Sequence, residues 1–139
     1  MQKEIATLSC VIDMLRRQVN KDLPSQHIAL LLAVAQKPGI TMPELCKQLE
    51  MPQGTVSRNV KLLTHFCAKN GGGSVTRKGY GLLETEKSSA NRYQLAVFLT
   101  NKGKELVEEL ARVMADEEAE GFRGRVVGKT VAMRKQALS

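Results

Sequence analysis

Apolar residues recur at helical spacing along much of the chain, and near its middle they alternate. A stripe at positions 5, 8, 11, 12, 15 and 19 predicts a helix over residues 4–19. Residues 26–36 are apolar on nearly every side, which is typical of a helix in the centre of a core. Residues 82–86 and 92–99, the latter alternating at a period of two, predict two strands. The pattern therefore indicates a mostly α-helical chain with one small β-hairpin.

Two further helices are predicted between the core helix and the strands. Thr41 and Glu44 have the spacing of a capping box, with Pro43 in the first turn, so a short helix should begin there. A turn at residues 50–54 separates it from a second helix over residues 53–66, whose exposed face is polar and basic. Two helices joined by a tight turn, the second with such a face, are typical of a helix-turn-helix.

The segments on either side of the strands are less regular. Residues 68–81 contain five glycines and are predicted to form a loop. Thr100 is expected to cap a last long helix, over residues 101–120. The tail from Gly121 is basic and weakly patterned, and either disorder or a short terminal helix would fit it.

The charge is strongly segregated. The 139 residues carry 21 Lys and Arg against 14 Asp and Glu, for a net charge of +7. Residues 104–120 hold seven of the acids and two of the bases, while the last 19 residues hold five bases and no acid. An excess of positive charge fits either a polyanionic partner or simple solubility. Its segregation favours one face for an anion, with the acidic helix kept away from it.

Several of these segments together resemble the MarR family of bacterial regulators. Residues 24–63 (PSQHIALLLAVAQKPGITMPELCKQLEMPQGTVSRNVKLL) resemble the family's core helix and helix-turn-helix. Gly81-Leu82-Leu83 resembles the start of its first wing strand, and NRYQLAVFLTNKG resembles its wing signature. Asn91 and Tyr93 depart from the Asp and the second Arg of that signature, and the glycine-rich segment 68–81 is longer than the family's usual connection.

The resemblance implies a fold that is mostly α with a small antiparallel β-hairpin wing: a winged helix-turn-helix with flanking dimerisation helices. It implies a dimeric repressor that binds double-stranded DNA sequence-specifically, with one helix in the major groove and the wing in the minor groove. Gln53, Arg58 and Asn59 are expected to read base edges, because Gln, Arg and Asn side chains can bond bases bidentately. The full set of expected DNA-binding residues is Gln53, Gly54, Thr55, Ser57, Arg58, Asn59, Lys61, Lys87 and Arg92.

The predicted boundaries follow the elements. Residues 1–22 form an N-terminal dimerisation helix, 23–103 the DNA-binding domain, 104–121 an acidic dimerisation helix and 122–139 a basic tail. Apolar positions on the two flanking helices would pack against a second subunit, although they could equally close the core of a single chain. These positions are Ile5, Leu8, Ile12, Leu106, Leu110, Val113 and Met114.

Two alternatives to a repressor remain open at this level. The same fold suits a replication or partition factor, or a winged-helix module that binds another protein. Lys69, Arg77 and Lys78 could contact the DNA backbone or serve only solubility. A small-molecule effector is compatible with the resemblance, but the sequence does not locate its pocket.

No catalytic or metal-binding pattern is present, so an enzyme, a cofactor and a metal site are not expected. Cys10, Cys46 and Cys67 show no CxxC spacing and are interpreted as small core residues, with a redox-sensing thiol as the alternative. The longest apolar stretch is far shorter than the roughly 20 residues that span a bilayer. With no signal-peptide pattern, a cytoplasmic protein, bacterial or encoded by a phage or plasmid, is expected.

Overall fold

Five helices and five short strands follow one another within residues 1–118, which are the residues that this computed structural model describes. The predicted basic tail lies outside them. In chain order the elements are α1 (Gln2–Gln18), α2 (Ser25–Gln36), β1 (Ile40–Thr41), α3 (Met42–Leu49), α4 (Gln53–Leu63), β2 (Phe66–Lys69), β3 (Val75–Lys78), β4 (Leu83–Lys87), β5 (Leu95–Leu99) and α5 (Asn101–Glu118).

The chain divides into two compact units. One comprises Leu23–Val107 and holds α2 to β5 with the first turns of α5. The other comprises Met1–Asp22, which holds α1, together with the described residues 108–118 of α5. Within this second unit the Gln18 amide donates a hydrogen bond to the Glu109 carboxylate at 3.2 Å, linking the end of α1 to α5.

The core of the larger unit forms around α2. This helix packs against α3, α4 and β5, and its buried residues include Leu30, Leu31 and Val34. Because α2 is apolar on nearly all sides, it exposes the least apolar surface to water when other elements cover it on nearly all sides. This explains its position in the centre of the core. Pro24 is the N-cap and Ser25 the first helical residue, so the helix begins one residue before the predicted start.

The capping box of α3 is confirmed in atomic detail. The Thr41 hydroxyl accepts a hydrogen bond from the Glu44 backbone N–H, and the Glu44 carboxylate accepts one from the Thr41 backbone N–H at 2.9 Å. The Lys37 ammonium lies 2.6 Å from the other carboxylate oxygen. The Thr41 hydroxyl also donates to Glu44 Oε1 at 3.1 Å. Lys37 and the two Thr41 donors, N–H and O–H, all favour the ionised carboxylate, so they lower the pKa of Glu44 to about 2.

The predicted wing is part of a three-stranded antiparallel sheet, ordered β1-β5-β4. Leu83 pairs with Leu99 at its base and Lys87 with Leu95 at its open end. The two-residue strand β1, which the sequence pattern did not predict, pairs Ile40 with Val97. The Thr100 side chain accepts a hydrogen bond from the Gly103 N–H at 3.1 Å, which confirms it as the cap of α5.

The prediction for residues 64–81 is wrong in two respects. Helix α4 ends at Leu63, and the glycine-rich segment contains a second antiparallel hairpin, β2–β3, rather than a loop. Phe66 pairs with Lys78 and Lys69 with Val75. Five residues connect the strands, and the Asn70 N–H donates to the Ser74 carbonyl at 2.7 Å, closing the turn. All five glycines thus lie in the connection or after the hairpin, and the two strands themselves contain none.

Candidate nucleic-acid interface

Helix α4 has one buried and one exposed face. Val56, Val60 and Leu63 face the core, and the turn before the helix is set by Glu50 in the left-handed region (φ 54°) followed by Pro52. Apart from Thr55, which is half-buried, and Asn59, the residues of α4 predicted to contact DNA are exposed: Gln53, Gly54, Ser57, Arg58 and Lys61.

Asn59 departs from the expectation, because its side chain is only 7% exposed. Its Oδ1 lies 3.1 Å from Nε2 of His27, a core residue of α2, and its amide donates to Gln26 Oε1 at 3.1 Å. Buried amides need hydrogen-bond partners, and here two side chains of α2 supply them. The expectation that Asn59 reads a base edge is therefore corrected. The residue anchors α4 to α2.

Arg58 lies over the first turn of α4. Its Nη2 is 3.5 Å from the Thr55 hydroxyl, and a Cβ at Gly54 would come within 3.5 Å of its Nη1. The N-cap Pro52 offers no side-chain acceptor to this turn. A guanidinium beside the N-terminus of a helix makes the start of α4 electropositive, since backbone N–H groups already point outward there.

The wing carries two of the predicted DNA-binding residues at its open end. Lys87 is the last residue of β4 and Arg92 lies in the connection to β5, and both side chains are exposed. The Asn91 Oδ1 accepts a hydrogen bond from the Tyr93 backbone N–H at 2.9 Å, and the Asn91 carbonyl accepts one from Gln94. The Asn that replaces the family's Asp thus shapes the turn that presents Arg92 to solvent.

The second hairpin adds cations that the sequence pattern had left in a loop. Lys69 ends β2, and Arg77 and Lys78 end β3, all three exposed. The signal in the sequence was the Phe-Cys-Ala-Lys and Val-Thr-Arg-Lys stretches flanking the glycines. Four residues are too few to separate a strand from a loop by periodicity alone.

The predicted dimerisation residues divide into two groups. Ile5, Leu8 and Ile12 are exposed on one face of α1, and Met114 is exposed on α5. Leu106 and Leu110 are each only 5% exposed in the single chain, and Val113 is intermediate. The alternative that these positions serve the chain's own core therefore holds for Leu106 and Leu110.

The cysteines also divide. Cys10 and Cys46 are partly buried, whereas Cys67 is exposed on β2, so its interpretation as a small core residue is wrong. Within residues 1–118 no group of three or more His, Cys, Asp or Glu side chains is placed to hold a metal ion. None of the helices in that range is both long enough and apolar enough to cross a membrane.

These elements define a winged helix-turn-helix, and comparison with known proteins makes the class more specific. The sequence model of the MarR family matches residues 21–64. The structure resembles that of MarR, at 22% identity over 94% of this chain and 86% of that one, with a TM-score of 0.53. No curated protein sequence matches the chain significantly.

Two further structures share the fold. One is the PcaV transcriptional regulator from Streptomyces coelicolor in complex with its natural ligand, at 17% identity over 94% of this chain and 78% of that one (TM-score 0.51). The other is an S. aureus MepR mutant bound to an oligodeoxyribonucleotide, at 18% identity over 83% and 72% (TM-score 0.55). The chain has the winged-helix fold of these structures, and part of it, residues 21–64, is similar to the MarR family. This confirms the predicted fold class.

Proposed function

We propose that this protein is a dimeric, sequence-specific DNA-binding regulator of transcription, acting as a repressor that occupies promoter DNA. The observation that carries the proposal is the exposed face of α4, where Gln53, Ser57 and Arg58 lie beside an electropositive helix start. In the same fold, the MepR mutant is bound to an oligodeoxyribonucleotide. MarR-type regulators act by binding rather than by catalysis, and we propose no enzymatic activity here.

The geometry suits a helix in the major groove. That groove admits one α-helix, and residues near its N-terminus meet the base edges. Gln53 and Arg58 have the side chains for bidentate contacts to adenine and guanine respectively. Thr55, Ser57 and Lys61 would bond phosphates or neighbouring bases, and Gly54 would let the backbone approach closely. Asn59, held by His27, is left out of this set.

The wing would lie along the minor groove. Arg92 at its open end suits a narrow, electronegative minor groove, and Lys87 suits a phosphate beside it. Each would contribute to binding with little dependence on the bases that α4 reads, because neither is on that helix. The wing therefore adds affinity and sensitivity to groove width.

A second copy of the chain is the proposed partner of the exposed apolar residues in the smaller unit. Ile5, Leu8 and Ile12 follow one another at three- and four-residue steps on α1, and all are exposed. Burying them in a dimer would remove apolar surface from water, which is the main driving force of such association. Two-fold symmetry then predicts a pseudo-palindromic site whose half-sites lie about one helical turn apart.

Because a regulator of this kind must reach DNA to bind it, we expect the protein to be cytoplasmic in a bacterial host. PcaV, which shares the fold, was solved with its natural ligand. We accordingly propose that a small-molecule effector regulates the protein.

The test is binding to a duplex from upstream of the protein's own gene, with random duplex as competitor. Wild type, Arg58→Ala and the matched control Arg17→Ala, an exposed arginine on α1, are compared. We expect specific binding that Arg58→Ala weakens by about 1–3 kcal/mol and Arg17→Ala leaves unchanged. Equal, salt-sensitive binding to both duplexes would favour a replication or architectural role, and no binding at modest salt would favour a protein-interaction module.

A further inference from the structure

The β2–β3 hairpin has one fully exposed face, and that face is cationic. Residues paired directly across an antiparallel ladder share a face, so Cys67 lies with Arg77, and Lys69 with Val75. All four are exposed, whereas Phe66 and Ala68 on the other face are partly covered. Lys69 and Arg77 are diagonal neighbours, which places their Cα atoms about 7–8 Å apart.

The base of the hairpin is fixed to the end of α4. The N–H groups of Tyr80 and Leu82 donate to the carbonyls of Leu62 and Leu63 at 3.0 and 2.8 Å. Gly79 has φ +95°, and a Cβ there would collide with the Thr64 carbonyl oxygen. This close approach sets where the hairpin leaves the helix.

A side-chain contact joins the hairpin to the exposed face of α4. The Lys61 ammonium lies over the Phe66 ring, 4.9 Å from its centroid. Lys61 belongs to the face proposed to meet DNA, and Phe66 begins β2. The hairpin therefore starts at the edge of that face.

No acidic residue occurs between Met51 and Leu83, a stretch that contains both α4 and the hairpin. Its five cations are Arg58, Lys61, Lys69, Arg77 and Lys78. Within residues 1–118 the ion pairs join Lys37 to Glu44 and the amino terminus to Glu4, and they involve none of these five. Like charges placed together without counterions repel, so the folded hairpin gains nothing internally from them. An external anion would relieve this repulsion.

The tip of the hairpin contains Gly71 and Gly72, which have no side chains. Gly71 and Gly72 do not have positive φ angles, and a Cβ at either would meet nothing within 4 Å. Neither the conformation nor the space of the folded chain therefore requires glycine at these two positions. A tip without side chains can bring backbone N–H groups close to a phosphate.

From these observations we infer that the β2–β3 hairpin binds the phosphate backbone of duplex DNA, beside the site that α4 contacts. Lys69 and Arg77 on the exposed face supply the charge, and the glycine tip allows the approach. This inference rests on the proposed function, because it extends the same DNA interface. With this contact, the protein would bind the duplex through three elements: α4, the wing and the second hairpin.

The test is the salt dependence of DNA affinity, measured by fluorescence anisotropy on the upstream duplex and on random duplex. Each phosphate contact contributes roughly 0.9 to the slope of log K against log salt. In the variant Lys69→Gln/Arg77→Gln we expect the slope to become shallower by about 1.8. Between 50 and 200 mM salt the wild type should then lose about 12-fold more affinity than the variant. The loss at fixed salt should be the same on both duplexes, since phosphates carry no sequence information.

Two control variants make the result specific. Lys3→Gln/Arg17→Gln removes the same charge from exposed positions outside this unit and should leave the slope nearly unchanged. Lys69→Arg/Arg77→Lys keeps the charge and should retain the wild-type slope. Equal slopes for wild type and the hairpin variant, or an equal loss in the control double variant, would overturn this inference alone. Wild type that binds neither duplex would overturn the proposed function, and this inference with it.

Discussion

The two hairpins of the larger unit have similar lengths but are held in different ways. In the wing, Leu83, Ala96 and Val97 are buried, and β5 is flanked by β1 as well as β4. The β2–β3 hairpin has no buried residue and pairs with no third strand among the described residues. A two-stranded hairpin alone is marginal in water, so β2–β3 depends on the contacts at its base. The wing sequence is thus constrained by packing, whereas the second hairpin is free to carry surface chemistry.

The largest expected effect is on the free energy of unfolding, and it should differ between the two hairpins because only the wing has buried residues. Leu83→Ala in β4 should lower the free energy of unfolding by about 2–5 kcal/mol, because it leaves a cavity where a 1% exposed side chain was packed. Val75→Ala in β3, at 60% exposure, should change it by less than about 0.5 kcal/mol. Denaturant unfolding measures both. Similar losses for the two variants would mean that the second hairpin is also part of the core.

A smaller effect is expected where the second hairpin joins α4. Gly79→Ala should cost about 1–3 kcal/mol, since φ is +95° and the added Cβ meets the Thr64 carbonyl. Gly72→Ala at the open tip should leave stability unchanged or raise it by up to about 1 kcal/mol. The readout is thermal unfolding, with hydrogen exchange in β2 and β3 to locate the loss. A Gly79→Ala protein as stable as wild type would contradict the close approach.

On DNA the two hairpins should differ in selectivity. Arg92→Gln in the wing and Arg77→Gln in β3 should each reduce the salt slope by roughly 0.9, one phosphate-equivalent contact. Only Arg92→Gln should lose more affinity on A/T-rich than on G/C-rich flanking sequence, because Arg favours a narrow minor groove. Anisotropy on paired duplexes measures this. Equal losses on both sequences would remove the minor groove from the proposed role of the wing.

The smallest expected effect concerns the connection from β1, the third strand of the wing sheet, into α3. The folded-state pKa of Glu44 is lowered to about 2, so its stabilising contribution is complete above pH 4.5 and disappears as the pH falls through about 2. The stability difference between wild type and Glu44→Gln should follow that profile in denaturant unfolding. Lys37→Gln, which removes the largest cause of the shift, should move the step towards pH 4.5. A difference that is constant from pH 2 to 5 would contradict this assignment.

The sequence alone could predict much of the fold because its signals are local. Apolar patterns and capping signals predicted all five helices, the capping box predicted the start of α3, and the short apolar runs, one of them alternating, predicted the wing strands. The exposed face of α4 was predicted correctly at Gln53, Ser57, Arg58 and Lys61, since helical spacing alone separates them from Val56 and Val60. The proposed DNA contacts of these residues remain predictions.

Other features depend on residues far apart in the chain, and only the tertiary structure decided them. Asn59 is polar and adjacent to Arg58, yet it points inward because His27, 32 residues away, offers a buried partner. Strand β1 exists because β5 lies beside it, and the glycine-rich segment forms a hairpin whose base is held by carbonyls at the end of α4. Local pattern determined the helices and the two wing strands, because backbone propensity and amphipathicity act over a few residues. Long-range packing determined which polar side chains remain on the surface, because a buried polar group needs a partner that the local sequence does not contain.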